Sequence, residues 1–371
     1  MPDTQLPAAG SWLDIIGQCQ RGGAFAIYRF PHSVRARAVI QHSPRPICLP
    51  HVSLLAGMPA AYVAAPFHPR ADQPVLLIRP DVFLSALLPH ETPSEAYGLL
   101  TCNANPDVYF SAFGDFMNLL QGGSCQKLVL ARDEQLTTAR DIDPFDLFRR
   151  ASAAYPDAFV ALWHTAISGT WLTAMPELLL GRCAGGWKTM ALAGTMPYSA
   201  DSAHPSLRAW SAKNREEQAC VSHYIRRILL HRHGIRFDAC GPHPQKAGRL
   251  VHLCTDFRFN LPSPEAAIRL LADLHPTPAV CGHPLSVTLR HILLHEGIQR
   301  RYYAGFNGPW QLEDSSAFYV TLRCLHLTGS RQARLYAGGG IVPASRAADE
   351  WQETVRKMQT MKTLLFSAPH S

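Results

Sequence analysis

None of the ten cysteines in the 371-residue sequence forms a Cys-x-x-Cys pair, so neither a zinc ribbon nor a dithiol redox motif is written into it. Their wide spacing points to reduced thiols in a cytosolic protein, not to a disulfide framework. Cys125, Cys254, Cys281 and Cys324 are accordingly read as small core residues. No uninterrupted apolar run reaches the roughly 18 residues of a membrane helix. The opening Met-Pro-Asp-Thr-Gln lacks the charged-then-apolar pattern of a leader. The expectation is a soluble, cytoplasmic chain without a membrane partner. A formal charge of +7 arises without any run of five basic residues, which argues against nucleic acid. A modest excess of scattered arginine suits a small anionic substrate. Eighteen histidines include no His-Glu-x-x-His pattern. No repeat, low-complexity tract or linker divides the chain. With 47% hydrophobic residues it can bury one large core or two smaller ones.

What is present begins with a helix predicted near the N-terminus, with Trp12, Leu13, Ile15 and Ile16 as its apolar side. Residues 24–29 and 75–79 read as strands, 31–70 as strands and turns, and 106–121 as a helix. The first 120 residues show no chemistry and are expected to supply one half of a sheet scaffold. Lys127 opens a strand over 126–132; a lysine there is ordinarily a solvated edge residue. Glu177 follows Pro176 at a corner between two strands. Residues 205–233 carry the longest helical pattern, with Val221, Ile225, Ile228 and Leu229 in register. Glu217 extends that row, and a carboxylate on an inward row needs a partner, for which a cation is one answer. Further helices are predicted over 143–155, 263–272 and 285–299. A strand over 317–324 would set Tyr319, Thr321 and Arg323 on one face.

The densest stretch is 335–357. A β-type run reaches Gly338, Gly339 and Gly340, whose missing Cβ atoms permit close approach of a ligand. Ser345 then reads as an N-cap. In the helix that follows, Trp351, Val355 and Met358 form an apolar stripe. Glu350, Glu353 and Lys357 share another. Such a row is either a solvated helix face or a holder for a divalent cation and an anion together.

These segments resemble the chorismate-utilising enzymes, and within them the short, menaquinone-type isochorismate synthases. Ala337-Gly-Gly-Gly-Ile341 with Glu350-Trp-Gln-Glu-Thr-Val-Arg-Lys357 is similar to that family's C-terminal signature. Lys127-Leu-Val-Leu-Ala-Arg132, Pro176-Glu-Leu-Leu-Leu180, Ala193-Gly-Thr195, Lys213–Gln218, His252-Leu-Cys-Thr255, Leu274–Gly282 and Tyr302–Pro309 agree with it in order. The resemblance implies an α+β fold: a single chorismate-binding domain over 1–371, with two β-sheet halves, flanking helices and the active site between them. Residues 1–110 would be its variable scaffold and 120–365 its motif-bearing part.

The same resemblance implies Lys127 as the base that activates water and Glu177 as the general acid. It implies a Mg²⁺ ion on Glu217 and Glu353, with Glu350 in an outer position. Substrate contacts fall on Gly194, Thr195, His252, Ala279, Tyr303, Gly305, Arg323, Gly338, Gly340 and Lys357. The partner is then chorismate and the protein a monomer. Asn214 and Gln218 depart from the family's Asp and His, and Tyr198 stands near where the family often has an arginine. Ammonia-using relatives lack the lysine. Salicylate-forming relatives tend to carry threonine where Ala279 stands. The reading from another class is an inactive chorismate-binding scaffold.

Overall fold

The structure, a computed structural model, describes residues 6–89, 95–197, 206–247, 250–313 and 315–366. Tyr198 lies outside them. Among the described residues the chain forms an eleven-stranded and a nine-stranded sheet. In the first, Ala24–Arg29, Phe159–Thr165, Gly169–Met175, Cys324–Gly329, Gln332–Ile341 and Lys127–Thr138 lie side by side. In the second, Leu250–Phe259, Gly186–Pro197, Leu178–Cys183, Ala317–Val320, Phe306–Trp310 and Ala61–Ala65 do so.

Alternation along the strands decides what each face meets. Phe159, Ala161 and Trp163 point into the core shared with the second sheet, where Phe159 stacks on Tyr319 at 4.2 Å. Val160 and Leu162 point the other way, into a core beneath helices Trp12–Arg21, Pro144–Ala154 and Ala347–Phe366. This is the α+β arrangement expected from sequence.

Several local expectations need correction. The first 120 residues do not make one half of the scaffold. Ala24–Arg29 and Arg35–Gln41 join the first sheet, while Ile47–Leu49, Ala61–Ala65 and Val75–Ile78 join the second. In the N-terminal helix the buried side is Trp12, Ile15 and Cys19, and Leu13 is exposed. The helical pattern over 205–233 resolves into Ala212–Arg227 with a wider turn at Ile228–Arg232. The C-terminal helix Ala347–Phe366 is of nearly the same length. Its fully buried stripe is Thr354, Met358, Met361 and Leu365; Trp351 packs as expected, against Tyr109 and Phe110 with Arg132 over its ring, and Val355 is only half-buried. The strand expected over 317–324 stops at Val320, because the chain there leaves the second sheet for the first.

Helix Leu285–His295 also ends earlier than its periodicity suggests, because Gly297 leaves it at φ +77°; the residue just before that break is Glu296. Its side chain turns inward, fully buried beside Arg300. Glu296 Oε1 accepts the Ala131 amide at 2.7 Å, and Arg300 donates to the carbonyls of Val129 (2.8 Å) and Val280 (2.7 Å). This pair ties the Lys127–Thr138 strand to the loop bearing Ala279. Removing one member leaves the other charge buried alone. Glu296→Ala should therefore lower the urea-unfolding free energy by about 3–5 kcal/mol. The double change Glu296→Leu with Arg300→Met should recover most of that loss.

Candidate active site

The chain passes between the two sheets twice near one point. It leaves the first sheet at Met175 and enters the second at Leu178, so Glu177 sits in the crossover. It returns between Val320 and Cys324, so Arg323 sits in the opposite crossover, held at φ +46°. The crossovers brace each other: the Val320 amide donates to Glu177 O at 3.0 Å and the Ala174 amide to Arg323 O at 3.1 Å. A non-glycine residue at positive φ is strained and persists only where its surroundings enforce it. No periodicity signals it.

Between the crossovers opens a cavity of about 460 Å³. Of the residues named from sequence, Glu177, Gly194, Thr195, Glu217, His252, Ala279, Tyr303, Arg323, Gly338, Gly340, Glu353 and Lys357 line it. Gly305 does not. A Cβ there would lie 1.9 Å from Ala65 O, so this glycine serves backbone packing between strands. Lys127 is also absent from this wall. It lines an adjoining cleft of about 510 Å³, and Glu217 and Gly340 face both spaces. Glu350 borders that cleft too, and it is buried rather than loosely placed. Asn214, Arg356, Met175, Leu192 and Leu322 are among the further wall residues not singled out as contacts. Asn214 stood out only as a departure from pattern and Arg356 only as part of the 350–357 signature; Met175, Leu192 and Leu322 lie between the quoted motifs.

The charged groups gather on the strand that has no side chains. At Gly340 an added Cβ would meet Lys127 Cε at 2.6 Å and Glu217 Oε1 at 2.9 Å. At Gly339 it would meet Glu350 Oε2 at 3.1 Å and Glu353 Oε1 at 3.7 Å, and at Gly338 the Tyr303 hydroxyl at 3.0 Å. Lys127 Nζ pairs with Glu217 Oε1 at 2.7 Å. Lys357 Nζ pairs with Glu353 at 2.5 Å and donates to Gly338 O at 2.7 Å. Lys213 Nζ holds Glu350 Oε1 at 2.8 Å, and Ser345 donates to that same oxygen at 2.6 Å.

The environments push these groups apart electrostatically. Burial raises the Glu177 carboxyl to about 8, against the opposing pull of Lys127 and Arg323, so it is mostly protonated at neutral pH. Lys357 lowers Glu353 to about 2. Burial would raise Glu217, but Lys127 and Lys357 outweigh it and its carboxyl ends lowered. One neutral acid thus faces two ionised carboxylates in one site. Burial, with Arg323, depresses His252 to about 3, so its imidazole is neutral. His252 Nδ1 lies 3.1 Å from Thr195 Oγ1 and 3.2 Å from Gly194 O.

The supporting residues have plain roles. Gly194 adopts φ +74°, and a Cβ would strike Asn214 O at 2.8 Å, so the turn can lie against helix Ala212–Arg227. Asn214 Nδ2 donates to Thr195 O at 3.3 Å. Gln218 turns away from the cavity to Ser222 and Thr255. His275 Nε2 lies 3.3 and 3.2 Å from the carbonyl oxygens of Pro66 and Phe67, bracing the loop that carries Ala279. The four core cysteines are buried and free, as read from sequence.

The cavity between the two sheets sets a protonated carboxyl against lysines, an arginine and ionised carboxylates, an arrangement chemically suited to a small anionic molecule. The chain belongs to the chorismate binding enzyme family, whose pattern matches residues 84–366. It is 34% identical over 255 residues to the salicylate biosynthesis isochorismate synthase of Pseudomonas aeruginosa, covering 68% of this chain and 53% of that protein. It is 34% identical over 274 residues to the putative isochorismate synthase MenF of Mycobacterium tuberculosis, covering 70% of this chain and 73% of that one. The chain thus spans about half the length of the first of these relatives. The fold is shared with the menaquinone-specific isochorismate synthase MenF of Escherichia coli at a TM-score of 0.78 and 21% identity, over 97% of this chain and 93% of that one.

Two glycine substitutions should separate site from scaffold. Gly340→Ala should leave the thermal melting temperature within a few degrees of wild type, because the Cβ meets flexible side-chain ends. It should abolish ligand binding or turnover by displacing Lys127 and Glu217. Gly305→Ala should do the reverse and fail first in the melt, because the obstacle is backbone.

Proposed function

We propose that the protein is an isochorismate synthase, exchanging the C4 hydroxyl of chorismate for a water-derived hydroxyl at C2. Membership of the chorismate binding enzyme family supports this reading, as do relatives that bear the name. The observation that carries it is Glu177, a carboxyl buried enough to stay protonated to about pH 8 between Lys127 and Arg323. Glu177 would give its proton to the departing C4 hydroxyl. The Lys127 amine would take a proton from the attacking water, so the two transfers balance and the product is an isomer. Arg323 and Lys357 would orient the carboxylates of the substrate, with Arg323 offering a planar donor fork. Gly194, Thr195, His252, Ala279, Tyr303, Gly338 and Gly340 would shape the rest of the contact. The proposal takes the whole chain as one monomeric chorismate-binding domain, with the chemistry in residues 120–365 and residues 1–110 as scaffold.

The residues present fit a magnesium ion. Glu217 and Glu353 are ionised, both line the cavity, and Glu217 feels the charge of Glu353. Glu350 Oε2 is buried against Gly339 without a hydrogen-bond partner among the described residues. That is an all-oxygen set suited to a hard divalent cation. Glu217 and Glu353 would hold it, with Glu350 and Lys213 behind. When bound, the ion would neutralise and anchor the ring carboxylate.

Lys127→Gln and Glu177→Gln should each lower single-turnover conversion at saturating chorismate on the order of 10²–10⁴-fold. The double variant should lose little more, since both act in one displacement. A Lys127→Gln protein keeping over about a tenth of the wild-type rate would make Lys127 a structural residue. Turnover should fall as pH rises through about 8, where Glu177 loses its proton. In Glu177→Gln that alkaline limb should vanish.

Chelation should abolish turnover and Mg²⁺ should restore it, with Glu353→Gln much less active than Glu350→Gln. Full activity after rigorous chelation would refute the metal assignment. A lactate dehydrogenase couple should detect little pyruvate, given Ala279. Stoichiometric pyruvate would move the protein to salicylate formation, and binding without turnover would make it a scaffold. We assign its product to menaquinone formation, on the segments 213–218 and 302–309. Deleting the gene should then lower menaquinone and spare catechol siderophores.

A further inference from the structure

A second cluster of ligating side chains lies outside the acidic site. Strand Phe237–Ala247 pairs with Leu250–Phe259 so that His243 stands directly opposite Cys254. Asp256 follows two residues later on the same strand and therefore on the same face. A bulge between Cys240 and His243 breaks the register and delivers His243 to this position. The bulge depends on Gly241, whose φ of +128° and approach to Cys254 O exclude a side chain; a Cβ would lie 2.5 Å from that oxygen. The ligand atoms of His243, Cys254 and Asp256 all lie within 4.8 Å of one another.

The spacing within the cluster suits coordination better than pairing. His243 Nε2 is 3.5 Å from Asp256 Oδ2, longer than a good hydrogen bond. Nitrogen and oxygen ligands about 2.0–2.1 Å from a tetrahedral ion stand about 3.3–3.4 Å apart. His243 and Asp256 are about one-third exposed, at 35% and 30%, so an ion can enter from solvent. Cys254 closes the base and is fully buried. Mixed nitrogen, sulfur and oxygen donors select borderline ions of the zinc type over magnesium.

We propose that His243, Cys254 and Asp256 form a transition-metal site of the zinc class, distinct from the carboxylate site. Its position gives it a route to the substrate cavity. Cys254 packs with Met175, Leu192 and Leu322, and all three are cavity wall. An ion at this site therefore sits one side-chain layer behind that wall, on the side of Glu177.

The test is a Co²⁺ titration of the full chain in millimolar Mg²⁺, in a Cys240→Ser background. That change removes the exposed thiol opposite Asp256. One equivalent of Co²⁺ should give a thiolate-to-cobalt charge-transfer band with tetrahedral visible transitions, and Zn²⁺ should bleach both. Cys254→Ser should abolish the band. Because Cys254 lies in the core, His243→Ala and Asp256→Ala provide variants on the solvent side. Each should weaken Co²⁺ binding at least about tenfold while the protein stays folded. Absence of a charge-transfer band, its persistence in Cys254→Ser, or unchanged affinity in both solvent-side variants would overturn the proposal.

Discussion

The site depends on one strand segment that has no side chains. Between Ala337 and Ile341 the chain keeps its ladder with Lys127–Thr138 while offering only backbone to the cavity. Five side chains from four other elements pack against its two faces: Lys127, Glu217 and Tyr303 against Gly338 and Gly340, and Glu350 and Glu353 against Gly339. Charges packed this closely repel or pair. Here each carboxylate faces an ammonium, Lys127 against Glu217, Lys357 against Glu353 and Lys213 against Glu350. The arrangement is balanced without substrate and open to rearrangement when an anion or cation enters.

The second constraint is the pair of crossovers. Glu177 and Arg323 occupy the points where the chain changes sheets, and backbone hydrogen bonds across those points hold both in place. A crossover is irregular backbone, yet these lie at the floor of a cavity between two packed sheets. Burial there keeps Glu177 protonated, while direct pairing with Lys127 and Lys357 keeps Glu217 and Glu353 ionised. Separation of carboxyl groups by environment is the physical basis for acid and electrostatic roles side by side. The buried Glu296–Arg300 pair serves the same end from behind, fixing Val129 and Val280, both of which line the cavity.

Much of this was legible in the chain. Helix 106–121 forms where it was expected, and Val221, Ile225 and Leu229 are buried as their periodicity requires. Expectations failed where tertiary context overrode a local pattern. Leu13 looks apolar-periodic but lies on the solvent side of its helix. Gly305 sits in a family-like segment, yet its lack of a side chain answers a neighbouring strand. Lys127 lines the adjoining cleft, yet its charge acts on Glu177 and its side-chain end lies against Gly340, which faces both spaces; that placement comes from packing between distant elements.

By itself, the sequence determined the two-sheet α+β class, the run of glycines, and the identity of nearly every charged group that meets there. Those features are local: period, residue type and motif order survive in one dimension. Only the tertiary structure decided which carboxyl is neutral, which lysine faces which space, and that Arg323 leaves its strand at a positive φ. Protonation follows burial and neighbours, and neighbours across two sheets come from distant parts of the chain. A strained backbone angle is likewise set by the packing that enforces it, which no run of residues encodes on its own.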